Sequence, residues 1–478
     1  MKIHIILKKN SKVPLYIQIY EAFRNSILEG SLKPGTKLES IIQLKQSLCV
    51  SRNTVEMAYL QLSVEGFIYS RRRSGYFVSD LNNYKSLDYS ANHSEVIKDV
   101  ASPIKSRCCN KTGAKYDFDP GSTDHNLFPF KKWNKIEQGI MSLENRGVLT
   151  YPDPRGEIQL RIEISKYLKH SRGVNCHPDQ IIIGAGIQTL INLICFLLGG
   201  EEPLKVALED PGYPAIRKAF EWNRCEIMPI NLKNNVIDIS EVINRPISPS
   251  VVYLTPSNQH PMGGLLNVSD KLSLLNWVKD NKSYLIEDDY DSEFRYNIHP
   301  VPTMFSLDNS DRVIYLGTFS KTLFPAMRMS YVVLPNELTR KFNEIESYYN
   351  QTASKIHQLT LADFMKDGLF EQHIRKMRTL YGKKHKKMVE MIERVFKNNA
   401  CIIGDHAGIN FTLRIKLPYF ESEIIKRARE AGIIIYPISL YQVNRKINSR
   451  YSDFILGYGH MTLEEIEDAI NLLGEALL

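Results

Sequence analysis

Little in this chain provides for disulfides, structural zinc or a membrane. Its 478 residues include seven cysteines, an odd number without C-x-x-C spacing, which argues against a disulfide framework or zinc site and favours a reducing, cytoplasmic compartment. The adjacent Cys108-Cys109 lies in a polar stretch and reads as incidental. Met1 to Asn10 has too short an apolar run, broken by charge, for a signal peptide. No internal repeat is found. One uncharged run, Ile181 to Gly200, has the length of a membrane span. Gly184-Ala185-Gly186, then Gln188, Thr189 and Asn192, punctuate it, so a buried strand, a tight loop and a helix are expected there, and no membrane partner. An acidic balance is missing too. The net charge is +8, and residues 1–80 hold +6 of it, with twelve Lys and Arg against six Asp and Glu. A basic excess at that end suits a nucleic-acid partner, although a merely solvated basic surface would carry the same charge.

What is present is an ordinary globular composition, 43% hydrophobic and 24% charged, with length for roughly two to four domains. In the first eighty residues, Tyr16, Tyr20, Phe23 and Ile27 fall at helical spacing, and Gly30 with Pro34-Gly35 ends that helix. Ser40 is placed to cap a second helix carrying Ile41, Leu44 and Leu48. After a turn at Cys49-Val50, Ser51 is placed to cap a third, with Val55, Ala58, Tyr59 and Leu62 inward and Arg52, Asn53 and Thr54 outward at its first turn. From there a recognition helix touches bases and phosphates. Phe67 to Ser70, the basic turn Arg71-Arg72-Arg73-Ser74-Gly75, and Tyr76 to Val78 read as strand, turn and strand.

The stretch Val50-Ser51-Arg52-Asn53-Thr54-Val55, with Glu65-Gly66 and Gly75-Tyr76-Phe77-Val78, resembles the winged helix-turn-helix of the GntR family over residues 12–80. The resemblance implies operator DNA as partner, contacted by Ser51, Arg52, Asn53, Thr54 and the wing arginines Arg71, Arg72 and Arg73. One departure affects the operator sequence: where the family usually shows Leu-Pro-Ser-x-Arg, this chain has Leu38-Glu39-Ser40-Ile41-Ile42, which removes an expected DNA contact.

Residues 81–115 lack a sustained period and read as a linker, which at about 3.3 to 3.6 Å per extended residue is long enough to carry the DNA reader well away from its own C-terminal domain. From Tyr116 to Leu478, apolar strands such as Gln180–Ile183, Lys205–Leu208, Val251–Leu254, Tyr284–Ile286 and Val313–Leu316 alternate with helical runs. That alternation predicts an α/β domain, its sheet largely parallel and covered by helices on both faces.

Within it, Gly317-Thr318-Phe319-Ser320-Lys321 and Glu287-Asp288-Asp289-Tyr290 meet the needs of pyridoxal 5'-phosphate. The cofactor's aldehyde calls for a lysine amine, which Lys321 supplies at the end of an uncharged run. Its ring nitrogen calls for a carboxylate, which Asp288 supplies, and Tyr290, two residues on, could bond the phenolic oxygen. An acidic run of this kind is also compatible with a metal site or a charged loop. The phosphate calls for donors: backbone amides at Gly186 and Ile187 where a helix begins, and Thr318, Ser320 and Arg328 beside the lysine. Tyr213, in Asp210-Pro211-Gly212-Tyr213-Pro214, could stack on the ring, or be simply a core tyrosine at a turn.

These motifs, with Thr255-Pro256-Ser257-Asn258-Gln259, resemble the class I aminotransferases of fold type I. With the N-terminal reader the whole chain is similar to the MocR subfamily of GntR regulators. The resemblance implies a multidomain chain, head-to-tail homodimers, and the roles given above for Lys321, Asp288, Tyr290 and Arg328. It also marks departures. Many members have Ser-His-Gln-x-Pro-Thr-Gly where this chain has Ser257-Asn258-Gln259-His260-Pro261-Met262-Gly263, so contacts beside the cofactor at His260 differ. An arginine for the substrate carboxylate is expected in the segment matching Ile455 to His460, where its position falls on His460. A second, found in the GABA-responsive member, falls on Ala215. The function implied is an effector-responsive transcription regulator sensing an amine, an amino acid or pyridoxal phosphate itself. The rival is a working aminotransferase.

Overall fold

The computed structural model describes residues 5, 7, 8, 13–71, 74–80, 113–296, 301–443 and 451–478. The expected linker 81–115 therefore lies mostly outside the described residues, as do Arg72 and Arg73. The chain divides into two compact units, residues 1–110 and 111–478.

In the smaller unit, α1 (Leu15–Leu28), α2 (Ile41–Leu48) and α3 (Arg52–Val64) precede the hairpin β1 (Ile68–Arg71) and β2 (Gly75–Val78). The caps fall where the sequence places them. Ser40 and Gln43 form a reciprocal capping box on α2, and the Ser51 hydroxyl accepts from the Thr54 amide at 3.1 Å. Each such cap contributes about 1 kcal/mol. Cys49 closes α2 in the left-handed conformation, turning the chain into α3. Ile19, Phe23 and Ile27 of α1 pack on Val55, Ala58, Tyr59 and Leu62 of α3. The Tyr59 ring meets the edges of Phe23 and Tyr76, and its hydroxyl donates to the Glu39 carbonyl, so the wing and all three helices share one core.

The strands of the larger unit's main sheet are, after a short β3 (Tyr116–Asp117), β4 (Ile181–Gly184), β5 (Lys205–Asp210), β6 (Glu226–Lys233), β7 (Val236–Ile237), β8 (Val251–Leu254), β9 (Tyr284–Asp288), β10 (Val313–Thr318) and β11 (Ser330–Val333). They lie in the order β4-β11-β10-β9-β8-β5-β6-β7. β10, β9, β8, β5 and β6 run parallel as expected. β11 departs from this: it returns directly from β10 and lies antiparallel to both β10 and β4. Alternation sorts the side chains. Ile181, Ile183, Tyr315 and Tyr331 enter the core on one face, and Ile182, Ile314, Leu316 and Val332 the core on the other. The uncharged run 181–200 is β4, a tight loop and a helix Ile187–Leu198. Among the described residues no helix is long and apolar enough to cross a membrane.

A second sheet orders β12 (Ala400–Ile403), β13 (Asn410–Ile415), β16 (Ser452–Gly457) and β15 (Tyr436–Pro437), while β14 (Ile433–Ile434) pairs with β3. One helix of 28 residues, Leu369–Phe396, about 42 Å long at its usual rise, links the two sheets. Its Phe370 and Ile374 pack with the main sheet, and its Met388, Met391, Ile392 and Phe396 with the second.

Candidate functional site

Lys321 sits in the β10–β11 connection. Its amine donates to the Pro120 carbonyl at 2.7 Å, and the Asn410 amide on β13 reaches the same carbonyl at 3.3 Å. Burial draws the Lys321 amine below its ordinary pKa, against the attraction of Asp291 and Asp119. A buried amine held toward its neutral form is the nucleophilic form.

The acidic run divides into distinct roles. Asp288, at the end of β9, is buried, its Oδ2 accepting from the Tyr253 hydroxyl across the β8–β9 register and its Oδ1 without a partner. Burial pushes this carboxyl up to about 7, opposed by the Tyr253 hydrogen bond. Asp289 turns the other way: burial raises it, but the Arg172 guanidinium, bonded at 2.6 and 3.1 Å, and the Tyr315 hydroxyl at 2.6 Å hold it below the carboxylate range. Asp291 accepts from Asn258 at 2.7 Å, and the same Asn258 amide reaches the Tyr290 hydroxyl at 3.3 Å. Beside them Glu209, pushed up to about 7 by burial, accepts from the Thr255 amide and hydroxyl. Only Asp288 among these carboxylates is left with an empty, buried oxygen.

Strand register brings Thr318, Ser330 and Gly184 into one row. Thr318 on β10 faces Ser330 on β11, which faces Gly184 on β4. The Ser330 hydroxyl donates to Thr318 at 2.9 Å, and the Ser320 amide to the same Thr318 oxygen at 3.2 Å. Gly186 precedes the helix that starts at Ile187, and no side chain caps that helix. The Arg328 guanidinium lies directly over Gly186: a Cβ there would fall 2.2 Å from Nη2. Gly186 also has φ of +95°, a conformation that favours glycine, and an added methyl would displace the guanidinium.

His260, Tyr213 and Tyr290 cluster edge to face, at 5.5 and 5.6 Å between ring centres. His260 is held neutral, its pKa lowered to about 3 by burial and by Lys321. Ala215 is the second residue of the Pro214–Trp222 helix, and its carbonyl accepts from Gln188. His460 is half-buried; burial lowers its pKa against Asp117 and Asp119, and its Nδ1 is unpartnered. Asp119 acts on both Lys321 and His460. Next to His460 stands a cation missed in the sequence, Lys384, buried and bonded to Asp124 at 2.6 Å and the Gly459 carbonyl at 2.7 Å.

In the smaller unit, Ser51, Arg52 and Asn53 are exposed at the start of α3, and Thr54 is half-buried against Ser51. Arg52 pairs with Glu56 at 2.7 Å on the same helix face. Arg71 leaves β1 over the Tyr69 and Phe77 rings, at 5.3 and 4.9 Å, and donates to the Tyr69 hydroxyl at 2.9 Å. The rings present this guanidinium at the wing rather than bury it.

These geometries define the class: a winged helix-turn-helix reader on a chain whose larger unit has the aminotransferase fold. Residues 15–78 match the family of bacterial regulatory proteins, gntR family, and residues 119–473 match aminotransferase class I and II. The chain is 38% identical over 478 residues to the uncharacterized HTH-type transcriptional regulator YdeL of Bacillus subtilis strain 168, covering 100% of this chain and 99% of that one. It is 32% identical to the probable rhizopine catabolism regulatory protein MocR of Rhizobium meliloti, covering 99% and 96%. It is 27% identical to the HTH-type pyridoxine biosynthesis transcriptional regulator PdxR of Corynebacterium glutamicum, covering 98% of each. In fold it resembles Pyrococcus horikoshii kynurenine aminotransferase, with TM-score 0.68 and 22% identity over 83% of this chain and 97% of that one. The chain belongs to the MocR subfamily of GntR-type transcription regulators.

Proposed function

We propose that this regulator binds operator DNA through residues 1–80, holds pyridoxal 5'-phosphate at Lys321, and responds there to a small amine or amino acid or to the cofactor itself. In this reading 81–115 is the linker, 116–478 the sensing domain, and the working form a cytoplasmic head-to-tail homodimer. The observation that carries it is the unpartnered, buried Oδ1 of Asp288. An orphaned buried carboxylate oxygen is costly unless a ligand donor completes it, and a protonated ring nitrogen is such a donor. The donor set fits the rest of the group: a buried amine at Lys321, hydroxyls at Tyr290, Thr318 and Ser320, and Arg328 closing over Gly186. When bound, the cofactor supplies an aldehyde that captures amines reversibly. With the cofactor bound, Asp288 would hold a proton on the ring nitrogen, Asn258 would orient the Tyr290 hydroxyl, Tyr213 and His260 would stand beside the ring, and Arg328 would take the phosphate.

The effector end supports selection against acidic ligands. A bidentate arginine–carboxylate contact contributes roughly 1.5 to 3 kcal/mol, whereas Ala215 offers no charge and His460 is drawn toward neutrality by burial. GABA is therefore expected to be a poor effector. The test is a DNA-binding titration with and without pyridoxal phosphate across a panel of amines. A change in operator affinity with cofactor or amine supports sensing. Steady conversion of amino donors and keto acids, with operator affinity unmoved, supports an aminotransferase instead.

Gly186→Ala tests the anion cradle. The added methyl would collide with the Arg328 guanidinium, so cofactor affinity is expected to fall at least about tenfold, some 1.4 kcal/mol. Unchanged affinity would remove Arg328 and the loop from the phosphate role.

A further inference from the structure

Two thiols meet outside the cofactor cluster. Cys195 and Cys225 stand 30 residues apart in sequence, with no spacing motif to announce them, and their Sγ atoms lie 3.8 Å from each other. That is contact without a bond, since a disulfide needs about 2.05 Å. Cys195 is buried on the Ile187–Leu198 helix. Cys225, only half-buried, follows the turn that ends the Pro214–Trp222 helix and leads into β6.

The backbone holds both in place. Asn192, one turn before Cys195 on the same helix face, accepts from the Asn223 side-chain amide at 2.7 Å. The Cys225 backbone amide donates to the Phe220 carbonyl at 3.1 Å. Cys195 belongs to the apolar core with Ile191, Ile194 and Phe220, and Cys225 packs against that core. The chemistry divides between the two sulfurs. Donation to Cys225, together with burial, pushes the Cys195 thiol up, whereas accepting that S–H draws the Cys225 thiol down against its own burial. Thiolate character therefore falls on the less buried sulfur, with a second thiol in contact to resolve what forms there.

The helices that this pair joins also frame the candidate cofactor site. One begins at Ile187 beside the Gly186 loop, and the other at Pro214 beside Tyr213. Their starts are already tied, Gln188 donating to the Ala215 carbonyl at 3.1 Å. Cys195 lies roughly 12 Å along its helix from Ile187 at the usual rise.

We infer that Cys195 and Cys225 are a redox switch: a two-electron oxidant of the peroxide class closes them into a disulfide, and the closure shifts the Ile187–Leu198 helix against the phosphate loop. The step balances. Hydrogen peroxide oxidises the Cys225 thiol to a sulfenic acid and is itself reduced to water. The Cys195 sulfur then attacks the Cys225 sulfur; the S–S bond forms, the S–O bond breaks, and the hydroxyl leaves with the Cys195 proton as a second water. Closing the gap takes about 1.8 Å of approach. In a reducing compartment the resting form is the open dithiol. The disulfide stands on the thiol pair alone, and its effect on the phosphate loop rests on the cofactor reading above.

The experiment exposes the full chain to graded hydrogen peroxide, alkylates the remaining thiols without reductant, and reads proteolytic fragments by mass. A fragment pair joined through Cys195 and Cys225, and separated again by dithiothreitol, is expected. Absence of the joined pair, with Cys225 still alkylated or carried on to sulfinic acid, overturns the proposal, and this readout needs no variant. Pyridoxal phosphate is then titrated by absorbance into reduced and oxidised protein. Oxidation is expected to weaken its retention at least about threefold, because the loop is built for the helix position of the open pair, and the same treatment of Cys225→Ser is expected to change nothing. A joined pair with unaltered retention overturns the switch, as does an equal loss in Cys225→Ser. Reduced protein that takes up no pyridoxal phosphate would end the cofactor reading, while the joined fragments still decide the disulfide.

Discussion

Lys321→Ala is expected to abolish the visible absorbance that pyridoxal phosphate acquires on binding, and with it every amine-dependent change in operator affinity. The loss should be complete rather than graded, because no other lysine amine joins the Asp288, Tyr290 and Asn258 cluster among the described residues. Stability should move little. The amine makes a single hydrogen bond, to Pro120, and removing a buried, desolvated amine offsets the loss of that bond. Absorbance spectra with and without cofactor, beside a thermal melt, check both parts. The same absorbance surviving in the variant would end the proposal for this lysine. Asp288→Asn gives the graded counterpart: the amide keeps the shape but loses the charge, weakening cofactor retention by about 1.5 to 3 kcal/mol.

Replacing Arg71, Arg72 and Arg73 together by glutamine should weaken operator binding and flatten its salt dependence. If all three meet phosphates, the slope of log affinity against log salt should fall by about 2.7, from about 0.9 per phosphate neutralised. Arg71 is held over Tyr69 and Phe77, so its contribution should depend on those rings. Tyr69→Ala with Phe77→Ala should lower affinity while leaving every charge in place. Measuring binding across a salt series separates the effects, and an unaltered slope in the triple variant would mean that the wing does not reach DNA.

Much of this could be read along the chain because the signals are local. Serine caps, the inward face of α3, the strands around residues 181, 205, 251, 284 and 313, and the glycine at the entry to a helix each depend on neighbours a few residues away. The place of Asp288 at the end of an apolar strand was legible too. What was not legible is long-range. Nothing beside Asp289 announces Arg172, which arrives from a helix more than a hundred residues earlier. Tyr253 reaches Asp288 only through the register of β8 on β9. Lys384 lies in Lys383-Lys384-His385-Lys386-Lys387 and reads as one lysine of a solvated face, yet the helix turns it inward onto Asp124. The antiparallel return of β11 was missed for a related reason: its apolar run looks the same in either direction.

The shared carbonyl of Pro120 has a consequence for how readily the lysine can be released. Two donors already converge on it, the Lys321 amine at 2.7 Å and the Asn410 amide at 3.3 Å. When the lysine is engaged elsewhere, Asn410 is in place to inherit the oxygen, so no buried carbonyl is stranded and the penalty of about 1 to 3 kcal/mol for an orphaned acceptor is avoided. The handover joins the β10–β11 turn to β13 of the second sheet through one atom.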